Sequence, residues 1–547
     1  MFSLRGLQKG FFVSILLISI AVTSGTARAA VLENLTIGNA KALALGNAVT
    51  ADPPGIDSIH FNPAGLAHLK DRQYNLKLLA VELTFGANFG GHDETTQETL
   101  DAYGLEDEVA YSNSETSTIG LRYPLSEGVS EWPLPFLVAP LGGASYNIPG
   151  SNVTFATSVY TPLAAGYLRE SDDPGRFMGD ALSYMKVTYF SPSVGVKLSE
   201  EWSVGASLGF SWQAISAGTE LRVPNIVLAV AGELQNQLEE QQACELIGIV
   251  LDVCGLNSEV ANISPYTNVA RLEYDAEAPL VWNFNIGALW KPMPWLTWGF
   301  VYQFESTAEM TGTYRFTYAE EWSNTFKALS DDPLYRIVAG ALGGLPIGKS
   351  LEEGTAKTTF TLPAHFATGI SVQILPDLKV NLDAKWTDWG IWDGITIEFD
   401  QDMDFGRIAQ HLAPKYSSLR TLTIPRHYES SWNYAIGIEY QWTDQMAFRF
   451  GYEPRKSSIP ADKRGVLLPL GDADLYGFGF EMRLPGRQVI DFGFGYLTAD
   501  ADIPAGSSTN ANSTDQANNF LYNPYAGTDI DTYADAYLVE ISYTTPF

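Results

Sequence analysis

The sequence predicts an all-β protein: a 14-stranded antiparallel transmembrane β-barrel with a small N-terminal helical hatch inside its lumen. Three observations predict this fold. The chain begins with an export signal, most of the rest alternates between apolar and polar residues, and short turns alternate with long loops. An exported chain with these features fits an outer-membrane barrel. A secreted β-sandwich has the same alternation, so the lengths of the strands and loops must distinguish it from a barrel.

Residues 1–29 have the features of a secretory signal peptide. Arg5 and Lys9 precede an apolar run, and small residues follow up to Ala29. The apolar run, about 12 residues, is too short to cross a bilayer as a helix, which needs roughly 20. We therefore expect cleavage after Ala29.

The composition excludes some classes of partner. Removal of residues 1–29 takes away three basic residues and no acidic one, so the net charge falls from −30 to −33. A surface this acidic does not favour nucleic acid as a partner. Aromatic residues make up 12% of the chain and recur on the alternating segments, as they do on the outward face of a membrane barrel.

The alternation is clearest in the last third of the chain. In segments 434–442, 446–452, 476–484 and 490–496, large apolar residues occupy every second position. Period two with one apolar face predicts a strand. Each apolar face has about five residues, which matches strands of roughly 9–11 residues tilted across a bilayer. Charged residues on the other face are expected in the lumen: Arg449, Arg483, Glu439, Glu453 and Asp491.

Turns and loops alternate in length. Six short turns and seven long loops imply fourteen strands, with one end in the periplasm and the other outside the cell. The chain stops within a strand at Phe547, which resembles the signal that the barrel-assembly machinery reads. The short turns lie near 148–150, 199–201, 292–294, 375–377, 443–444 and 484–486, and the long loops near 90–130, 169–184, 219–277, 317–358, 400–428, 457–471 and 501–532.

A compact segment rich in glycine and alanine precedes the strands and contains a helix-start motif. Asn62 is a good N-cap, and Pro63 suits the first helical position. If the strands close into a barrel, this segment lies either outside or inside the ring. We expect it inside as a plug over about residues 30–71, followed by the barrel at 72–547. The motif residues are Asn62, Pro63, Ala64 and Gly65.

Together with residues 46–48 (Gly-Asn-Ala) and 51–52 (Ala-Asp), this motif resembles the N-terminal hatch of the long-chain fatty acid transporter (FadL/TodX-type) family of outer-membrane proteins. The resemblance covers nearly the whole mature chain, although residues 52–55 (Asp-Pro-Pro-Gly) are stiffer than the family pattern. It implies passive uptake of hydrophobic compounds, long-chain fatty acids or related hydrocarbons. It also implies an outer capture groove, an internal pocket, a moving hatch and a lateral exit.

The resemblance points to two candidate sites. A kink in the third strand would open the wall sideways at Pro162 or Gly166, because proline cannot donate to a strand ladder; the alternative is that the strand ends there. The two largest loops, 219–277 and 317–358, would form the capture groove; the alternative is that their helices pack on each other as a cap. The candidate capture residues are Leu234, Leu238, Trp322 and Phe326.

Both cysteines, Cys244 and Cys254, lie in the first of these loops, and an exported chain meets an oxidising compartment. Ten residues of unbroken helix would separate the two Cα atoms by about 15 Å, beyond the limit near 7 Å for a disulfide. Either the helix breaks between them and they pair, which we favour, or the helix is continuous and the thiols stay free.

Common catalytic motifs are missing from the sequence. The six histidines form no His-Glu-x-x-His motif, and there is no Gly-x-Ser-x-Gly elbow or P-loop. We expect no catalytic residue, metal or cofactor. The expected partners are hydrophobic small molecules, outer-membrane lipid, lipopolysaccharide and the barrel-assembly machinery, for a monomer in the bacterial outer membrane. An aqueous diffusion porin and an outer-membrane lipid-acting enzyme are the alternatives.

Overall fold

A computed structural model describes residues 38–124, 126–222, 266–331, 333–342, 344–514 and 522–547. Within these residues, fourteen antiparallel strands form a closed barrel, so the predicted 14-stranded barrel is confirmed. Six of the strands in this part of the chain are interrupted once. The strands are β1 (Arg72–His92), β2 (Asn113–Thr116 and Leu137–Asn147), β3 (Val153–Leu168), β4 (Ala181–Phe190 and Ser193–Lys197), β5 (Trp202–Leu221), β6 (Ala270–Met293), β7 (Leu296–Gln303 and Ser306–Tyr318), β8 (Leu351–Leu362 and His365–Leu375), β9 (Leu378–Thr387 and Gly394–Phe399), β10 (Thr421–Pro425 and Ser431–Thr443), β11 (Met446–Arg455), β12 (Asp472–Leu484), β13 (Gln488–Ile503) and β14 (Thr528–Pro546).

The ring closes between its first and last strands. Residues 73–89 of β1 pair antiparallel with residues 530–546 of β14, and residues 72–81 pair with 137–146 of β2. Consecutive strands pair around the rest of the ring. At one end of the barrel, the strands are joined by the short turns predicted from the sequence. The long loops join them at the other end.

Successive side chains of a strand point to opposite faces, so one face of the wall is outward and apolar and the other lines the lumen. On β10 and β11, Tyr434, Trp442 and Phe450 point outward and are exposed. Alternate residues on the lumen side are buried, among them Ala435, Ala447 and Arg449. There, the guanidinium of Arg449 donates hydrogen bonds to Glu439, Glu481 and Asp491. A buried cation of this kind needs such partners, so the lumen wall near the turns is held together by charge.

Short helices lie in the N-terminal segment and in the outer loops. None of the helices in the described ranges is long and apolar enough to cross a membrane. The helices are α1 (Ala40–Ala44), α2 (Ser58–Phe61), α3 (Glu94–Tyr103), α4 (Glu320–Asp331), α5 (Pro333–Leu342) and α6 (Asp404–Leu412), with short 3-10 helices at Gly55–Asp57, Pro63–His68, Pro174–Met178, Trp389–Ile391, Ala461–Lys463 and Pro485–Arg487.

Candidate functional site

The N-terminal segment, residues 38–69, packs against the lumen side of the wall. Asn62 is fully buried within it. Its Oδ1 accepts the Ala64 N–H at 3.1 Å, and its Nδ2 donates to the Thr50 carbonyl at 2.8 Å and to the Ala288 carbonyl of β6 at 3.3 Å. Asn62 therefore caps the turn that begins at Pro63 and ties both halves of the segment to the wall.

Glycine on the lumen face of the wall lets the segment approach this closely. A Cβ atom at Gly205 would lie 2.2 Å from the Pro63 carbonyl, and one at Gly287 would lie 2.0 Å from Asn62 Oδ1. Any side chain there would displace the motif. Eleven lumen-facing glycines of the described wall contact the segment in this way: Gly143, Gly195, Gly205, Gly287, Gly299, Gly437, Gly451, Gly477, Gly479, Gly493 and Gly495.

Two carboxylates anchor the segment to the wall. Asp57 accepts a hydrogen bond from the ammonium group of Lys77 on β1 at 2.8 Å, and both side chains are buried. On β9, Asp383 accepts the N–H groups of Val49 and Thr50 at 2.9 Å. Removal of one partner from such a buried arrangement costs several kcal/mol, so these contacts favour one position of the segment.

A cavity of about 90 Å³ lies above the segment, inside the barrel. Its floor includes His60, and its walls include the bulged stretch of β3 at Pro162 and Leu163. Burial, together with the nearby cationic groups of His365 and Lys186, lowers the pKa of His60 to about 3. The floor of the cavity therefore carries a neutral imidazole at physiological pH.

Lys186 of β4 is the cation that faces this cavity. Its side chain is 3% exposed, and its Nζ lies 3.2 Å from Ser306 Oγ. Within the described ranges, no carboxylate pairs with it. Next to it in register, Gln213 of β5 is fully buried, and neither of its amide atoms has a hydrogen-bond partner in the described residues. Buried polar groups are normally paired, so this corner is suited to a polar ligand group.

Above the cavity, the lumen wall is apolar. Side chains from β4, β6, β7, β8 and β9 form one continuous cluster there. Trp322 of α4 and Phe405 of α6 pack on it from the outer loops, which joins the apolar wall to the mouth of the barrel. The largest buried members are Tyr184, Tyr274, Tyr314, Phe316, Tyr318, Phe360 and Phe399.

The wall has a break beside the cavity, between β2 and β3. The lower part of the two strands is paired at 142–147 and 154–159, but residues 137–141 of β2 pair only with β1 in the described structure. On the other side, β3 bulges between Tyr160 and Leu163, where Pro162 has no N–H to donate. Gly166 lies higher on β3.

The candidate capture residues lie in part within the described structure. The rings of Trp322 and Phe326 on α4 are in contact, with centroids 4.6 Å apart and planes tilted by 55°. Leu234, Leu238, Cys244 and Cys254 lie outside the described residues. Lys186 was not among the residues predicted from the sequence. Its place between Tyr184 and Thr188 in an alternating stretch is a signal that could have found it, but residues 169–184 were assigned to a loop.

The comparison with known proteins decides the family. Residues 18–547 match the family described as outer membrane protein transport protein (OMPP1/FadL/TodX). The chain belongs to this family. Its members are outer-membrane channels for hydrophobic compounds and not enzymes, so the predicted resemblance, location and lack of enzymatic function are confirmed.

Individual relatives of this FadL/TodX-type protein are distant. A long-chain fatty acid transport protein of Escherichia coli O6:H1 is 23% identical over 303 residues, 55% of this chain and just 56% of the relative. A FadL homologue of Pseudomonas aeruginosa has a TM-score of 0.65 at 17% identity, over 95% of this chain and 100% of that chain. The toluene transporter TbuX of Ralstonia pickettii has a TM-score of 0.56 at 15% identity, over 94% and 99%. These structures share the fold.

Proposed function

We propose that this protein takes up hydrophobic compounds with an acidic head group, such as long-chain fatty acids, across the outer membrane by passive diffusion. One observation carries the proposal. The apolar wall of the lumen leads down to a cavity where Lys186 is buried without a carboxylate partner in the described residues. A hydrocarbon chain needs the apolar wall, and a buried ammonium group is stabilised by a carboxylate.

The route begins at the outer loops and ends at the side of the barrel. Trp322 and Phe326 take part in the first capture of the ligand, in a groove formed with the loop at 219–277. The ligand then follows the apolar wall to the cavity above the hatch (residues 38–69). It leaves through the break in the wall at Pro162, between β2 and β3.

Movement of the hatch belongs to this proposal. Pockets that enclose a whole ligand usually measure about 300–1,000 Å³, whereas the cavity measures about 90 Å³. A long-chain ligand therefore fits only after the floor at His60 shifts or the wall at Leu163 opens. Binding then selects a second position of the hatch. An aqueous porin would conduct ions with the hatch in place, so the planar-bilayer current of the wild type separates the two functions.

Replacement of Lys186 by methionine tests the proposed ligand class. The change keeps the volume of the side chain and removes its charge, and a hydrogen bond to a charged group contributes about 1.5–3 kcal/mol. We expect Lys186→Met to lower the affinity for oleate roughly tenfold to a hundredfold, and to leave the affinity for oleyl alcohol nearly unchanged. Binding to the purified barrel in detergent is measured by calorimetry.

The matched control is Lys197→Met, at the end of β4, where the lysine pairs with the exposed Glu200 of the following short turn. It should bind both ligands like the wild type. A Lys186→Met protein that still prefers oleate over oleyl alcohol would contradict the proposed acidic ligand. Weaker binding of oleate together with unchanged binding of oleyl alcohol would support it. Contacts with lipopolysaccharide, insertion by the barrel-assembly machinery and a monomeric state stay predictions.

A further inference from the structure

Strand β2 is interrupted by twenty residues that leave the wall. Its outer part, Asn113–Thr116, pairs with β1, and its inner part begins again at Leu137. Between them, residues 117–136 contain a small ribbon in which Gly120–Leu121 pairs with Ser130–Glu131. We call the described residues of this stretch, 117–124 and 126–136, the strap. It begins and ends beside the break between β2 and β3.

The strap lies on the outer surface of the barrel. Alternate residues of β5 face opposite sides, and Gly205 contacts the hatch, so the odd positions face the lumen and Ser216 faces outward. Gly166, Ser183, Ser216 and Asp275 follow each other in register across β3 to β6 and therefore share this outer face. The first three are small, and together they leave a shallow track across the strands.

The first half of the strap runs along this track. The Leu168 N–H donates to the Thr118 carbonyl at 3.0 Å, and the Arg122 N–H donates to Ser183 Oγ at 2.9 Å. A Cβ atom at Gly166 would lie 2.0 Å from the Gly120 carbonyl oxygen, so only glycine allows the strap to lie this close. Pairing with the top of β3 is thus restored above the break.

Arg122 fastens the strap at the end of the track. Its side chain is 3% exposed. The guanidinium donates to Asp275 through Nε at 2.6 Å and through a terminal nitrogen at 3.1 Å, and to Glu277 at 3.2 Å. Asp275 also accepts the Gly128 N–H at 2.9 Å. A bidentate, buried contact of this kind fixes geometry as well as energy.

The second half of the strap presents an apolar turn. Residues 132–136 have the sequence Trp-Pro-Leu-Pro-Phe, and Leu134 and Phe136 are 44% and 41% exposed. The turn is held by a hydrogen bond from the Trp132 indole to the Phe136 carbonyl at 2.9 Å. It continues into β2 next to β1, whose outward Leu78 is exposed to lipid. The apolar turn therefore extends the lipid-facing surface upward.

We propose that the turn at 132–136 binds outer-leaflet lipid at the interface, and that Arg122 holds the strap in the position that this contact requires. Tryptophan at the head-group level and apolar side chains below it are the usual anchors of membrane proteins. Neither part rests on the proposed side exit, because both follow from the exposure of the turn and from the contacts of Arg122.

A fluorescent probe tests both parts without any cargo. In a Cys244→Ser/Cys254→Ser background, Leu134→Cys is labelled with an environment-sensitive NBD group and the protein is placed in phosphatidylcholine vesicles. We expect blue-shifted emission, quenching by nitroxide lipids and protection from iodide. The same label at Tyr111→Cys, an 81% exposed residue of the same outer connection, should be quenched by iodide instead.

The second part of the experiment removes the contact between Arg122 and Asp275. Arg122→Met should shift the probe at residue 134 toward iodide quenching, and Asp275→Asn should do the same from the barrel side. Heat-modifiable gel mobility shows whether each barrel is folded. A probe at residue 134 that behaves like the one at 111 would overturn the lipid contact. An unchanged probe in folded Arg122→Met and Asp275→Asn would overturn the fastening by Arg122.

Discussion

At the scale of single residues, Gly205 sets the distance between the hatch and the wall. A Cβ atom at this position would lie 2.2 Å from the Pro63 carbonyl, which is backbone and cannot rotate away. We expect Gly205→Val to displace the hatch at a cost of about 1–3 kcal/mol, the usual cost of overpacking. The wild type should show no steady current in a planar bilayer, whereas Gly205→Val should conduct ions.

Gly340→Ala is the matched control, because a Cβ atom there meets nothing within 4 Å. If Gly205→Val conducted no ions, the wall and not the hatch would have shifted to accommodate the added side chain. The sequence predicted the lumen face of these strands, since glycine alternates with aromatic residues. It did not predict the partner of each glycine, because period two gives the face of a residue but not what packs against that face.

At the scale of elements, release of the hatch should depend on pH through His60. Burial lowers the pKa of His60 to about 3, against about 6.5 for an exposed imidazole. Below pH 6.5, a released hatch therefore binds a proton that the closed hatch does not bind. The stability of the closed position is full above pH 6.5 and falls as the pH drops toward 3, by about 2 kcal/mol at pH 5.

Hydrogen exchange of residues 38–69 measures this effect. After correction for intrinsic exchange rates, protection should be lower at pH 5 than at pH 8 in the wild type, and this difference should be smaller in His60→Phe. The other charged groups nearest His60 are Lys77, Lys186 and His365, and all three remain in that variant. Equal protection of the wild type at both pH values would contradict the prediction.

The strands could be predicted from the sequence, but their pairing could not. Fourteen strands could be predicted because the short turns and the long loops between alternating segments can be counted. The break between β2 and β3 could be predicted only as a candidate at Pro162, because the sequence does not state which neighbour a strand pairs with. The strap was assigned to an outer loop and the start of β2. Lys186 was missed because its strand begins inside a segment assigned to a loop.

At the scale of the whole molecule, a buried cluster joins four outer connections of the described barrel. Arg222, just after β5, is fully buried and donates to Asp107, in the connection between β1 and β2, at 2.5 Å. It also donates to the Pro524 carbonyl before β14 at 2.7 Å, and its guanidinium lies 4.5 Å from the ring centroid of Phe177. We call these four connections the cap; the buried Arg222 ties them together.

Loss of this ion pair should loosen the cap as a unit. Removal of one partner of a buried pair costs about 3–5 kcal/mol, so we expect Asp107→Asn to raise the mobility of a spin label at Tyr111→Cys, in the Cys244→Ser/Cys254→Ser background. Asp472→Asn is the control, because its pair with Lys456 is half exposed and contributes little. An immobile label in Asp107→Asn would show that the loops are held by other contacts.

The wild-type cap should lose the same contact in acid. Burial opposes the ionisation of Asp107, but hydrogen bonds from His92 and Arg222 outweigh it and hold the pKa of this carboxyl below its usual range. A carboxyl with a lowered pKa stabilises the folded form above its unfolded pKa of about 3.9, and that stabilisation is lost as the pH falls through the folded value. The spin label at residue 111 should therefore stay immobile from pH 8 down to about 4 and become mobile below. Mobility that rises already near pH 6 would instead place the control of the cap on a histidine.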